Sequence, residues 1–322
     1  MIRHIRSLTA VVLAAVAMSA GAAGWPAHPV RMVVPSAAGS PPDVMARLIA
    51  QRLGTRWNGQ VIVDNKPGAG GIIGMNAVRQ APADGYSFIL THAATIAVTP
   101  LVNASARYDM DAEFAPVAMV AMGPLVIVAD KRHGADSLPS FIAQAKQAGG
   151  TVNVGVNGQY SLPHLAAESF RRSTGLDLNI VSFSSSGTAL TAVMNGDVQL
   201  LFDGIPGVEG MLKGGRIKAL AVTSKTRVPL APGVPALAET LPGQDVNGWF
   251  VLLARKGTPA DIIERINRDL NAVVADKTVI EQMASVGVQP RPMSVAEVGQ
   301  FIHAERTRWS NVLAGMNIRK QP

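Results

Sequence analysis

Residues 30–53 read VRMVVPSAAGSPPDVMARLIAQRL, and this stretch decides the fold. The apolar run from Val30 to Pro35 reads as a strand. A loop of small residues follows, and from Asp43 the residues Val44, Leu48, Ile49 and Leu53 recur at helical spacing. The same grammar repeats downstream. Val61 to Val63 reads as a strand, Ile72 to Gln80 as a helix, and Phe88 to Leu90 as a strand. Val117 to Val128 reads as a long extended stretch broken by Gly123-Pro124. A second series alternates strand Val152 to Val156, helix Leu162 to Ser173, strand Leu178 to Val181, helix Thr188 to Asn195 and strand Val198 to Phe202. Strands Ile217 to Val222 and Trp249 to Leu253 flank a proline-rich loop from Pro229 to Pro235. Strand–helix alternation of this kind predicts an α/β fold with largely parallel sheets.

Helices close the chain. Pro259 is expected to open one of them, where its missing N–H costs nothing. Ser294 and Glu297 have capping-box spacing before a helix whose apolar face is Val298, Phe301, Ile302, Trp309 and Val312. The two series predict two α/β lobes, residues 26–123 plus 248–322 and residues 124–247. The chain would cross between them twice, near Gly123 and near Gly248. Two crossings make a hinge, and the cleft between the lobes becomes the expected ligand site.

Residues 1–23 read as a secretory signal peptide. Arg3 and Arg6 form the basic start, Leu8 to Ala17 the apolar stretch, and Ala20-Gly21-Ala22 the small residues at the cleavage pattern. The apolar stretch is shorter than the roughly 20 residues a bilayer span requires. A soluble periplasmic protein is therefore expected. The chain has no cysteine, which excludes disulfides and thiolate metal sites. Its formal net charge is +7, or about +5 without Arg3 and Arg6. The basic residues are dispersed, with neither a run nor interleaved aromatics, so a nucleic-acid partner is not expected. A mildly positive field suits anionic ligands.

Three loops between a strand and a helix are candidate ligand loops. The first is Ser36, Ala37, Ala38, Gly39 and Ser40, with Asp43 just inside the helix. Ser40 suits the N-cap and Pro41 the first turn. Exposed N–H groups at such a terminus suit a carboxylate, although the same residues also read as an ordinary capped helix. Asp43 sits at the positive end of the helix dipole. It either orders the loop through backbone N–H groups or meets an ammonium on the ligand. The second loop is Asn157, Gly158, Gln159, Tyr160 and Ser161, with His164 one turn into the helix. A lone histidine there reads more readily as structural than as functional. The third runs through Ser184, Ser185 and Ser186 to Thr188. Thr91 and His92, after the third strand, are further candidate contacts, and Asp203 completes the set.

Gly68-Ala69-Gly70-Gly71-Ile72-Ile73-Gly74 lacks dinucleotide spacing, because position 73 is Ile, and no G-K-[ST] follows. Its glycines are read as a tight turn with close packing. There is no G-x-S-x-G elbow and no H-E-x-x-H. The histidines (His4, His28, His92, His133, His164 and His303) lack metal-ligand spacing, so neither metal nor cofactor is expected. A Ser161–His164–Asp203 constellation assembled in space stays open at this level.

A set of ordered motifs resembles the Bug family, the substrate-binding proteins of tripartite tricarboxylate transporters. They are Pro29-Val30-Arg31, Val34-Pro35 with Asp43, Val63-Asp64-Asn65-Lys66-Pro67-Gly68-Ala69-Gly70-Gly71, Asp84-Gly85-Tyr86 and Phe114-Ala115-Pro116-Val117. His164-Leu165-Ala166, with Glu168 and Phe170, and Gly196 to Asp203 follow. Lys218 to Ser224, Val234-Pro235, Trp249-Phe250 and Gly257-Thr258-Pro259 complete them. The similarity runs from about residue 25 to about residue 315. It implies a two-lobed, type II-like Venus-flytrap periplasmic binding protein with a carboxylate held between the lobes by loop amides and water. It also implies delivery to a membrane permease of two different subunits.

The ligand loops depart from the family pattern. Ser40 replaces a glycine in the first loop, Tyr160 takes a glycine's place in the second, and Phe183-Ser184-Ser185 stands where Y-K-G is common. The expected function is capture of a small carboxylate (a di- or tricarboxylate, an acidic amino acid or an aromatic carboxylate) by a monomer that is not an enzyme. A receptor reporting ligand to a membrane sensor and a periplasmic hydrolase are the alternatives.

Overall fold

The computed structural model describes residues 24–314, so the signal-peptide reading of residues 1–23 lies outside the described residues. Strands β1 (Val30–Val34), β2 (Val61–Asn65) and β3 (Ser87–His92) form a parallel group, with β1 between the other two. Helices α1 (Pro41–Trp57) and α2 (Ile72–Arg79) connect them. A 17-residue strand, β4 (Phe114–Asp130), follows. Helix α3 (Leu138–Ala148) leads into β5 (Val152–Asn157), α4 (Leu162–Thr174), β6 (Leu178–Phe183), α5 (Ser186–Asn195), β7 (Leu200–Gly204), α6 (Ile205–Lys213) and β8 (Ile217–Val222). The chain returns through β9 (Asn247–Arg255), α7 (Ala260–Val274), α8 (Lys277–Ser285), the two-residue β10 (Gln289–Pro290) and α9 (Val295–Ala314).

The strand order is β2-β1-β3-β9-β4-β7-β5-β6, with β8 and β10 also paired to β4. Parallel pairing is confined to the two flanks, β2-β1-β3 and β7-β5-β6. The centre is antiparallel: β9 runs against both β3 and β4, and β4 runs against β7 and β8. The expectation of largely parallel sheets is therefore corrected. The strands that carry the chain out and back necessarily run in opposite directions and pair with each other. Pro124 does not break β4 either. The ladder to β9 ends at Pro124 opposite Asn247, and the ladder to β7 begins at Leu125 opposite Gly204. A residue without an N–H is tolerated at such a handover. Gly123 and Gly248 are direct partners in the β4–β9 ladder.

Helix α1 buries Met45, Ala46, Ile49, Leu53 and Trp57, while Val44 is 48% exposed. Of the predicted face, Ile49 and Leu53 are buried and Leu48 packs at the margin; Val44 alone faces outward, because the inward direction at the first turn belongs to the buried Asp43. Pro259 is the N-cap of α7 and not its first residue. The capping box at α9 forms: the Glu297 amide donates to Ser294 Oγ (3.3 Å) and the Ser294 amide to Glu297 Oε2 (2.8 Å). Of its predicted face, Val298, Ile302 and Trp309 are buried and Phe301 and Val312 pack at the margin. One apolar core runs from Met75 and Ile89 across β4 to Phe170 and Phe202, and takes in Trp249 and Trp309. The indoles of both tryptophans donate to the buried Glu305 Oε2 at 3.1 Å, which satisfies three polar groups at once. Separate clusters fill the outer faces on either side.

Candidate functional site

Loops at the carboxyl ends of parallel strands gather beside the antiparallel centre. This is where open α/β sheets bind ligands. A cavity of about 340 Å³ lies there. One wall comes from the first flank: Pro35 after β1, Gly68, Gly70 and Gly71 before α2, His92 at the end of β3, and Ala94, Val98, Thr99, Val102 and Asn103 beyond it. The opposite wall is Gln159, Tyr160 and Ser161, between β5 and α4.

The second-loop residues are held by a chain of local bonds. Gly158 adopts φ +85° and Tyr160 φ +57°. The Gly158 amide donates to Phe183 O (3.0 Å), tying this loop to the end of β6. The Tyr160 amide donates to His164 Nδ1 at 2.9 Å, and the two rings stack at 5.8 Å with 20° between planes. Nδ1 is therefore the acceptor, and the neutral imidazole carries its proton on Nε2. Burial lowers the His164 pKa; Glu168 raises it and Arg171 lowers it to lesser extents. Ser161 is the N-cap of α4, its Oγ accepting from the His164 amide at 3.4 Å.

Behind this loop, the Asn157 side-chain amide donates to Asp203 Oδ1 (2.8 Å) and to Ser186 Oγ (3.1 Å). One side chain so joins the ends of β5 and β7 to the start of α5. The Gly204 amide also donates to Asp203 Oδ1 (2.7 Å). Burial raises the Asp203 pKa, against the opposing pull of Ser186 and the Gly204 amide. Ser161, His164 and Asp203 do not form a catalytic relay. Ser161 Oγ meets the backbone of His164, the His164 ring is taken by Tyr160, and Asp203 holds Asn157.

The first loop is built around Asp43. This buried carboxylate accepts from the Gly39 amide (2.8 Å) and Arg47 Nε (3.0 Å) through Oδ2, and from Asn65 Nδ2 (2.9 Å) through Oδ1. Asn65 also reaches Ser36 O at 3.1 Å. Burial opposes ionisation of Asp43, but these partners outweigh it and leave its pKa below the ordinary value. Of the two sequence readings of Asp43, ordering of the loop is what the structure contains. Ser40 occupies the N-cap of α1, but its hydroxyl turns back to Ala37 O (2.6 Å) instead of capping. Pro41 and Pro42 remove two of the N–H groups this terminus would otherwise present. Pro35 lines the cavity; Ser36, Ala37, Ala38, Gly39 and Ser40 do not.

Among the other predicted residues, His92 lines the cavity and faces the Phe250 edge at 6.2 Å. Burial pushes its pKa down to about 4, so the ring is neutral at pH 7. Thr91 is wholly buried, and its hydroxyl lacks a hydrogen-bond partner. Ser185 and Thr188 satisfy each other in an exposed capping box on α5, beside the exposed Ser184. None of the three lines the cavity.

Sequence reasoning missed Gly70, Gly71, Thr99 and Asn103. The glycine run was visible, and the close packing read from it is present. A Cβ on Gly71 (φ +96°) would stand 2.5 Å from Thr95 Oγ1, and one on Gly70 (φ +63°) 3.2 Å from Thr99 Oγ1. The same close approach makes the glycine backbone a cavity wall. A second groove, of about 320 Å³, lies between Pro100-Leu101 and α9; it contains the Arg306–Asp111 ion pair (2.8 Å) and none of the predicted residues. Among the described residues no acidic, histidine or cysteine cluster fit for a metal occurs, and no helix is long and apolar enough to cross a membrane.

Residues 45–318 match the model of the tripartite tricarboxylate transporter family receptor, TctC. The chain is 34% identical to the protein BugT of Bordetella pertussis over 305 residues, covering 94% of each. Among solved structures it resembles Rpa4515 of R. palustris with adipate (31% identity, TM-score 0.73, covering 89% of this chain and 97% of that one). It also resembles MatC from Rhodopseudomonas palustris with bound malate (29% identity, TM-score 0.68, covering 89% and 99%).

Proposed function

Because the chain belongs to the tripartite tricarboxylate transporter receptor family, a family of solute-binding receptors, we propose that it captures a small carboxylate between two lobes and presents it to a two-subunit membrane permease. The observation that carries this reading is the cavity itself, whose walls come from opposite flanks of the sheet. The lobes are residues 26–123 plus 248–322 and residues 124–247, and the protein works in the periplasm as a monomer after removal of residues 1–23. Relatives solved with adipate and malate support a carboxylate ligand.

A carboxylate entering the cavity must recover the hydrogen bonds it loses in water. The available donors are the hydroxyl of Ser161, the amides of Gln159 and Asn103, His92, and the partly positive start of α4. Hydrogen bonds to a charged group contribute about 1.5–3 kcal/mol each. Three or four would supply the roughly 8 kcal/mol of micromolar binding. The wider set of Ser36 to Ser40, Asp43, Thr91, Asn157, Gly158, His164, Ser184, Ser185, Ser186, Thr188 and Asp203 frames the cleft. Native mass spectrometry of the protein as purified, followed by denaturing release, tests the reading. A stoichiometric organic anion is expected. An empty protein that no carboxylate stabilises against heat would overturn it.

A further inference from the structure

Tyr160 combines three features on one wall of the cavity. It holds a left-handed backbone conformation, φ +57°, which costs an L-residue energy that glycine avoids. Its amide is anchored to His164 Nδ1 (2.9 Å) and its ring lies parallel to the imidazole. It also lines the space a ligand would fill. Strained residues fixed by their surroundings concentrate where the strain positions something useful. Here the strain and the His164 anchor position an aromatic face.

The rest of the wall sets what that face meets. Pro35, Ala94, Val98 and Val102 are apolar, and Thr99, Asn103, Gln159 and Ser161 are neutral. Among the described residues that line the cavity there is no Lys, Arg, Asp or Glu. Of the nearby carboxylates, Asp43 is bonded to Arg47, Gly39 and Asn65, and Asp203 to Asn157 and Gly204 through Oδ1; the buried Asp203 Oδ2 has no hydrogen-bond partner, and neither residue lines the cavity. One carboxylate finds donors around Ser161 and the start of α4. A second, at the far end of the same ligand, would meet Pro35, Ala94, Val98 and Val102 with only the neutral Asn103 and His92 as side-chain donors and no cation, and would recover its hydration incompletely. A flat apolar body in that place meets Tyr160 and the valines.

We propose that Tyr160 and the uncharged wall opposite it select a carboxylate with a single anionic group and an apolar, preferably aromatic, body over di- and tricarboxylates. This rests on the reading of the cavity as a carboxylate site.

Isothermal titration of the purified protein with two matched pairs, benzoate against terephthalate and hexanoate against adipate, tests it. Within each pair the ligands differ by one carboxylate. The single-anion member is expected to bind at least tenfold more tightly, and benzoate more tightly than hexanoate. Tyr160→Gly removes the ring and relieves the backbone but also loses packing against the core, so the two effects on stability oppose and Tm should move by only a few degrees. It should lose roughly tenfold in benzoate affinity and most of the preference within each pair. Tyr160→Phe keeps the ring and should keep the preference. Tighter binding of adipate and terephthalate by the wild type overturns the selection while leaving carboxylate capture standing. An unchanged preference in Tyr160→Gly removes Tyr160 from it. If none of the four binds, the proposal fails; if a wider screen of carboxylates also gives no stabilisation, the capture reading fails with it.

Discussion

Ser161→Ala separates a structural from a ligand-binding role. Ser161 caps α4 through a 3.4 Å contact from the His164 amide, at the long end for a hydrogen bond. Loss of a serine cap costs about 0.5–2 kcal/mol, and a contact this long places the cost near the lower figure. In a chain of this size that lowers Tm by roughly 1–3 °C. Binding should suffer more. Losing one hydrogen bond to a charged ligand costs about 1.5–3 kcal/mol, a 10- to 150-fold weaker Kd. Ser137 provides the control. It caps α3 in the same way, accepting from the Ser140 amide at 3.3 Å, and does not line the cavity. Ser137→Ala should lose the same stability and no affinity. Thermal unfolding and isothermal titration with the released ligand measure both quantities on both variants. Unchanged affinity in Ser161→Ala removes Ser161 from the site. Equal loss of affinity in Ser137→Ala would show that the effect travels through stability and not through contact.

Gly71→Ala places a methyl 2.5 Å from the hydroxyl and 2.7 Å from the methyl of the buried Thr95, at a φ of +96°. Backbone strain and overpacking together should cost about 2–4 kcal/mol. A urea midpoint equal to wild type would count against the packing described. Gly287→Ala drives a methyl to 2.5 Å from the Pro206 ring at the start of α6, across the two flanks of the sheet. It should weaken ligand binding and enlarge the radius of gyration measured by X-ray scattering. Unchanged values of both would show that this contact does not limit closure. Glu239 is held at a pKa of about 2 by its paired hydrogen bonds to Arg227 (2.8 and 2.7 Å), with help from the Ala236 amide. A depressed carboxyl stabilises the folded state above its unfolded value near 4.5 and loses that contribution as pH falls toward 2. Glu239→Gln should therefore flatten the fall in stability between pH 4.5 and 2; an identical acid-denaturation curve would refute the pairing.

The parallel flanks were legible because their inner strands, such as β3 and β7, are buried along most of their length, and all of them read as short apolar runs with helical spacing between; the edge strands β2 and β6 are only partly buried. Val152 to Val156 and Leu162 to Ser173 fall within a residue of β5 and α4. The antiparallel centre was not legible. Nothing local in Trp249 to Leu253 says that it pairs with Val117 to Val128 in the opposite sense; that is a property of the route the chain takes. The site divides in the same way. Tyr160, Ser161 and His92 are adjacent to strand ends, where a general rule finds them. The Ala94–Val98 π-helical turn and the Thr99–Val102 helix, which supply much of the other wall, follow β3 without a cap, a glycine or a clear period. They become a wall only because Gly70 and Gly71 let them approach. Pro41 and Pro42 were legible and still misweighed. A terminus with two prolines in its first turn has lost the donors that make helix starts attractive to anions.

The charged and ionisable groups of the candidate loops share a role that their chemistry alone would not announce. Asp43 shapes the first loop through Gly39 and Asn65, Asp203 fixes the second and third through Asn157, and His164 anchors Tyr160. Each would be costly to bury alone, and each is buried or half-buried with hydrogen-bond partners from the protein, although Oδ2 of Asp203 is left without one. The family-like residues Asp43, Asn65, His164 and Asp203 thus act as scaffold, while neutral groups are left to face the cavity. Such a division keeps the loops rigid whatever occupies the space between them. Changes such as a tyrosine at position 160 can then alter the ligand without disturbing the bonds that hold the loops in place.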